Sequence, residues 1–192
     1  MIILKTIREN VKSEFTINKS IFISELIKVK DVSNVPLILD DIKKKYKDAT
    51  HYCYAYIIDD YKKSSDDNEP GGTAGVPIMD TLNKKELNYV LCVVIRYFGG
   101  IKLGAGGLIR AYRKASSDVI NLANLCDLVN GYEVVIEVSY DKQKELDYYL
   151  KCDYKKEFQE NVRYYILCDK STLSYLENNY DIISKKEKII EV

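Results

Sequence analysis

Apolar positions recur along the chain with two periods, and these divide it into strands and helices. Three strand-like segments open the sequence: IILKTIR, SEFTIN and SIFISELIKV. Val35, Leu39, Ile42 and Tyr46 then fall on one side of a helix predicted over 32–46. HYCYAYIID (51–59) alternates aromatic and small residues, as a half-buried strand does. Residues 60–75 are polar and glycine-rich and read as one loop. That loop is longer than most connections, and long ordered loops tend to be functional. A short helix is expected after Pro77, then a strand over 89–97. Leu108, Tyr112, Ala115, Val119 and Leu122 mark one face of a longer helix.

A boundary falls between Asn124 and Gly131. After it, GYEVVIEVSY alternates as a strand, and Leu146, Tyr149 and Leu150 have helical spacing. YKKEFQE and NVRYYILC read as two strands around Asn161. Asp169 or Ser171 is placed to cap a helix through Leu173, Leu176 and Tyr180, and KEKIIEV forms a last strand. The order βαββαβ predicts a ferredoxin-like sandwich, with two helices on one face of an antiparallel sheet. The expected class is therefore α+β in two domains, 1–128 and 129–192.

Composition narrows the functional classes. With 46% hydrophobic and 30% charged residues, the 192-residue chain has the balance of a soluble globular protein. No apolar run approaches the roughly 18 residues that cross a bilayer. The opening MIILKTIREN lacks a signal-peptide layout, so a cytoplasmic location and no membrane partner are expected. The five cysteines are scattered with no CxxC spacing, which argues for buried thiols rather than a zinc or redox site. Charge is balanced at 29 basic and 29 acidic groups, so any functional field is local. From Leu87 to Ser117 there are five bases (Arg96, Lys102, Arg110, Arg113, Lys114) and no acid. Asp59, Asp60, Asp66, Asp67 and Glu69 form an acidic stretch upstream.

Two loops carry the candidate chemistry, DDNEPGGTAGVP and FGGIKLGAGG. Five of the nine glycines (Gly99, Gly100, Gly104, Gly106 and Gly107) lie between Arg96 and Tyr112, before a helix start. Free amides there, with Arg96, Lys102 and Arg110, suit an anion such as phosphate. Nucleotide-binding templates fit poorly. Gly99 to Gly104 has P-loop spacing, but Ala105 and Gly106 replace its Lys and Ser/Thr, and Ile109 stands where GxGxxG needs glycine. The competing structural reading pairs Arg96 and Arg110 with Asp66, Asp67 or Glu69, which binds the two loops together. The three acids also have the oxygen chemistry of a Mg²⁺ site, although a solvated acidic loop is the commoner use. His51 has the chemistry of a general base, with Cys53 on the same side. At about 6–7 Å for i,i+2 strand neighbours they make a poor dyad. Tyr97, Phe98 and Tyr112 are candidates for base stacking, with packing as the alternative use.

KSIFI (19–23), DATHYCYAY (48–56), SSDDNEPGGTAGVPI (64–78) and RYFGGIKLGAGGLIRAY (96–112) resemble, in order, the motifs of the YigZ/IMPACT family. The resemblance covers the first half. It implies an N-terminal ribosomal-protein-S5 domain 2-like fold and a C-terminal domain similar to the last domain of elongation factor G. That likeness to translation modules implies RNA or ribosome binding. The longer eukaryotic relative restrains the amino-acid-starvation kinase by competing for its activator. It carries an added RWD domain for which this sequence leaves no room. Asn68 stands where the family usually has Gly, and Ile95 where it usually has Thr. The family supplies no catalytic residue. The resulting expectation is a non-enzymatic cytosolic protein that binds RNA, the ribosome or a translation-related partner. The expected surface is the glycine loop with Lys102, Arg110, Arg113 and Lys114, and no cofactor or resident metal is called for. The alternatives are a protein-interaction regulator and a small-molecule or phosphate-ligand enzyme using both loops.

Overall fold

The computed structural model describes residues 4–192, so Ile2 and Ile3 of the first expected strand lie outside it. The chain divides into two compact units, Met1–Asp127 and Leu128–Val192. Its class is α+β, with antiparallel sheets.

The first unit contains β1 (Lys5–Ile7), β2 (Val11–Ile17), β3 (Ser20–Lys28), α1 (Val35–Lys45), β4 (His51–Ile58) and β5 (Tyr61–Ser65). It continues through α2 (Gly75–Lys84), β6 (Val90–Tyr97) and α3 (Gly104–Leu122). A sheet of order β2-β3-β6-β4-β5 divides two cores. On one face Phe22, Leu26, Cys53, Ala55, Cys92 and Val94 meet Ile78 and Leu82 of α2, and Leu108, Tyr112 and Val119 of α3. On the other face Ile23, Ile27, Leu91, Val93 and Ile95 pack against Val35 and Ile42 of α1. Apolar from Val90 to Ile95, β6 is thus buried on both faces, and each fully buried Leu, Ile or Val there contributes about 1.5–3 kcal/mol.

The turn between β2 and β3 positions the strand ends used below. Asn18 and Lys19 both have positive φ (46° and 62°), the two-residue hairpin geometry that matches strand twist. The 60–75 segment differs from expectation, because its first part is the strand β5, which pairs with β4 from Ile58↔Tyr61 to Tyr54↔Ser65. YKKSS is a polar edge strand with nothing to bury on its outer side, so it lacks the alternation that reveals strands. The helix expected after Pro77 begins at Gly75, with Pro77 inside its first turn, where a missing N–H costs nothing.

The strand β7 (Leu125–Val138) begins in the first unit, pairing with β1 from Ile7↔Leu125 to Lys5↔Asp127. The rest belongs to the second unit, with α4 (Gln143–Tyr149), β8 (Tyr154–Phe158), β9 (Val162–Cys168), α5 (Lys170–Asn179) and β10 (Ile182–Glu191). Its strand order is β10-β7-β9-β8, antiparallel throughout. Val134, Ile136, Val162, Tyr164 and Ile166 face Leu146 of α4, and Leu173 and Leu176 of α5. Of the two candidate caps it is Asp169 that accepts from the Thr172 amide, at 2.8 Å.

Candidate functional site

Strand alternation brings Ser20, His51, Cys53 and Arg96 to one end of the sheet, on the face covered by α2 and α3. His51 and Arg96 are direct register partners. Above them the 66–75 segment folds inward. Glu69 is 7% exposed, and its Oε1 accepts from Arg96 Nη1 at 2.6 Å and from the Tyr112 hydroxyl at 2.8 Å. Arg96 Nη2 donates to Ser20 Oγ at 3.4 Å, and the guanidinium contacts the rings of Phe22 and Phe98, 5.4 and 5.3 Å from their centroids. His51 Nδ1 is 2.8 Å from the Asp67 carbonyl, which only accepts, so Nδ1 carries the proton. Its Nε2 stands 3.8 Å from Glu69 Oε1, beyond hydrogen-bond length.

The three acids do not converge on one point. Asp66 accepts from the amides of Gly72, Ala74 and Gly75 at 2.8–2.9 Å, and Asp67 accepts from the Tyr52 amide at 2.6 Å. Asp67 and Asn68 both take positive φ (42° and 66°), which turns the loop back over the strand ends. Among the described residues no cluster of three or more His, Cys, Asp or Glu is arranged to hold a metal ion. Burial raises the Asp66 carboxyl, but the three amide bonds outweigh it and hold the group below the usual carboxylate range. A lowered folded-state pKa stabilises the fold above the ordinary carboxylate pKa, and that gain is lost as pH falls through the folded value. Asp66→Ala should therefore cost about 2 kcal/mol near neutral pH, with the gap to wild type closing in acid. Urea midpoints at neutral and acidic pH measure this, and a gap that persists in acid would contradict the charged role.

Cys53 is fully buried and donates to the Asp66 carbonyl at 3.0 Å, 3.3 Å from the Tyr112 hydroxyl. Burial pushes the Cys53 thiol up, and pushes up the Tyr112 phenol as well, reinforced by Cys53 and Glu69. Both groups keep their protons at neutral pH, so Cys53 is no thiolate nucleophile and makes no dyad with His51.

The basic residues divide sharply. Arg96 is committed to Glu69, so the pairing reading describes it, and it does not stand at the surface as an anion ligand. Arg113 lies 3.6 Å from Asp80, and Lys114 bonds Asp118 at 2.6 Å, both on the exposed side of α3. Lys102 and Arg110 are exposed, and neither has a carboxylate partner among the described residues. Gly104, Gly106 and Gly107, read as loop, form the first turn of α3, which begins at Gly104 with φ 68°. Gly100 remains in the exposed loop, with φ 84°. A Cβ on Gly106 would lie 3.6 Å from Arg110 Nη1, so the Arg110 head runs back over that first turn.

The family model of the Impact N-terminal domain matches residues 18–120, more than half of the chain and all of this site. The chain belongs to the IMPACT family. Over 119 residues it is 48% identical to the IMPACT family member YvyE of Bacillus subtilis, covering 60% of this chain and 55% of that one. It is 39% identical over 101 residues to the IMPACT family member YigZ of Escherichia coli, half of each chain. It is 35% identical over 118 residues to the Protein IMPACT homolog of Dictyostelium discoideum, 57% of this chain and 33% of that one. The chain thus spans about half the length, or less, of the curated relatives it matches. A solved structure described as a hypothetical protein shares the fold, with a TM-score of 0.67 at 24% identity over 96% of this chain and 98% of that one.

The two departures from the IMPACT pattern have physical readings. Asn68 occupies a positive-φ position, which Asn tolerates better than most residues. Ile95 is fully buried in the α1-side core, one residue from Arg96 and on the opposite face. A hydroxyl there would point away from Glu69. Ser20, Cys53 and Tyr112 are the members of the site that sequence reasoning did not gather around Glu69. Strand alternation and the helical face of α3 were the available signals for them.

Proposed function

We propose that this IMPACT family member binds RNA in a regulatory, translation-linked role, through the corner where the loop after β6 enters α3. One observation carries the proposal. Asp66, Asp67 and Glu69 are engaged on amides, Arg96 and Tyr112, and Asp80 and Asp118 lie against Arg113 and Lys114, which leaves Lys102 and Arg110 at the surface without a carboxylate partner among the described residues. Such cations release counterions when they meet phosphates, which makes binding salt-dependent. The buried Glu69–Arg96 pair supports the corner without taking part in binding. The S5 domain 2-like reading of the first unit, and the ferredoxin-like reading of the second, belong to the same proposal. The β10-β7-β9-β8 order supports the latter.

Fluorescence polarisation with mixed-sequence RNA oligonucleotides tests it. Wild type should bind more tightly at low salt, and Lys102→Ala/Arg110→Ala should weaken binding about tenfold. No binding at low salt would sink the proposal and favour a protein partner. A specific feature supports that second reading: Tyr140 and Phe158 in the second unit, 52% and 62% exposed, with ring centroids 6.5 Å apart.

A further inference from the structure

Phe98 is a large aromatic residue that the packing of the first unit does not use. It is 45% exposed and belongs to neither core of the sheet. Even so, it is held firmly. Its amide donates to Thr50 Oγ1 at 3.0 Å, and the next amide, of Gly99, donates to Ser20 Oγ at 3.2 Å. Gly99 itself is pressed against the Lys19 backbone, where a Cβ would come within 2.0 Å of the carbonyl carbon. The ring contacts the Arg96 guanidinium, which also contacts buried Phe22 and whose Nη1 is fixed by Glu69. Contact with this anchored guanidinium and the two amide bonds hold the Phe98 ring in place, while nearly half of the residue remains open to solvent. Lys102 follows four residues later, within about 14 Å along the chain.

We propose that Phe98 is a stacking platform for an unpaired base, and that the nucleic acid taken by the basic corner is single-stranded RNA. This rests on the RNA-binding reading above and adds the class of strand. A base inside a duplex has both faces covered by its neighbours, whereas an unpaired base offers one to an aromatic side chain. Stacking of this kind tolerates any sequence, because every base has a π-face, and it works beside cations that track the backbone. Phe98 with Lys102 and Arg110 has that composition, an exposed, anchored ring in the same chain segment as two exposed cations.

The test exploits the absence of tryptophan from the chain. Phe98→Trp places a single indole at the platform. A saturating single-stranded RNA oligonucleotide should quench its fluorescence, while the same sequence annealed to its complement leaves it unquenched at equal occupancy. Phe98→Leu keeps an apolar cover on Arg96 without a π-face. It should weaken single-strand binding about tenfold, with the salt dependence and the unfolding midpoint unchanged. Equal quenching by duplex overturns the inference. So does wild-type affinity in Phe98→Leu when Lys102→Ala/Arg110→Ala has lost binding, a result that leaves the basic-corner reading intact. Absence of RNA binding by wild type overturns both.

Discussion

Glu69→Ala is expected to destabilise the first unit by about 3–5 kcal/mol, the usual cost of removing one partner from a buried ion pair. The carboxylate neutralises Arg96, which is 4% exposed and whose Nε already lacks a partner, and it accepts from the buried Tyr112 hydroxyl. Alanine leaves a desolvated guanidinium and an orphaned phenol, and no solvent route compensates either. Glu69→Gln should cost less, because an amide oxygen still accepts from both donors while the charge is lost. Urea unfolding followed by circular dichroism ranks the variants. A Glu69→Ala loss below about 1 kcal/mol would mean that the pair is not the tie between the 66–75 segment, β6 and α3. Because Arg96 also backs Phe98, the variant should lose RNA affinity even where it remains folded.

Gly99→Ala should be the most damaging of the glycine substitutions. Its Cβ would meet the Lys19 carbonyl carbon at 2.0 Å, the carbonyl oxygen at 2.1 Å and the Ser20 nitrogen at 2.4 Å. All three are backbone atoms, so the hairpin turn and the loop must part by more than an ångström. That breaks the Gly99–Ser20 bond and strains the neighbouring Phe98–Thr50 bond, for a cost of about 3 kcal/mol. Gly100→Ala meets nothing within 4 Å but has φ 84°, and should cost about 1 kcal/mol. Gly71→Ala meets neither obstacle and should lie within about 0.5 kcal/mol of wild type. Equal midpoints for Gly99→Ala and Gly71→Ala would contradict the close approach of loop and hairpin.

Apolar periodicity locates the helix bearing Leu108, Tyr112 and Val119, because a helix face and a core are the same residues seen twice. It misses β5, whose side chains have no core to face. It reads Gly104, Gly106 and Gly107 as loop, since glycine's weak helix propensity is a prior that tertiary packing overrides. Charge matching brings Arg96 and Glu69 into question as partners, yet it treats Arg110 alike. Only the fold separates the two arginines: β6 alternation turns Arg96 inward, whereas helical phase turns Arg110 out. The remaining contacts join distant residues, Tyr112 to Glu69 across 43 positions, Cys53 to Tyr112 across 59 and Ser20 to Arg96 across 76, beyond any local pattern.

The most direct measurement is the salt dependence of single-stranded RNA affinity for wild type and for Lys102→Ala/Arg110→Ala. Each phosphate contact on a single strand contributes about 0.7 to the slope of log K against log salt. The expected result is a slope shallower by about 1.4 in the double variant. An unchanged slope, or a wild type that binds no RNA at low salt, would contradict the assignment of binding to this corner.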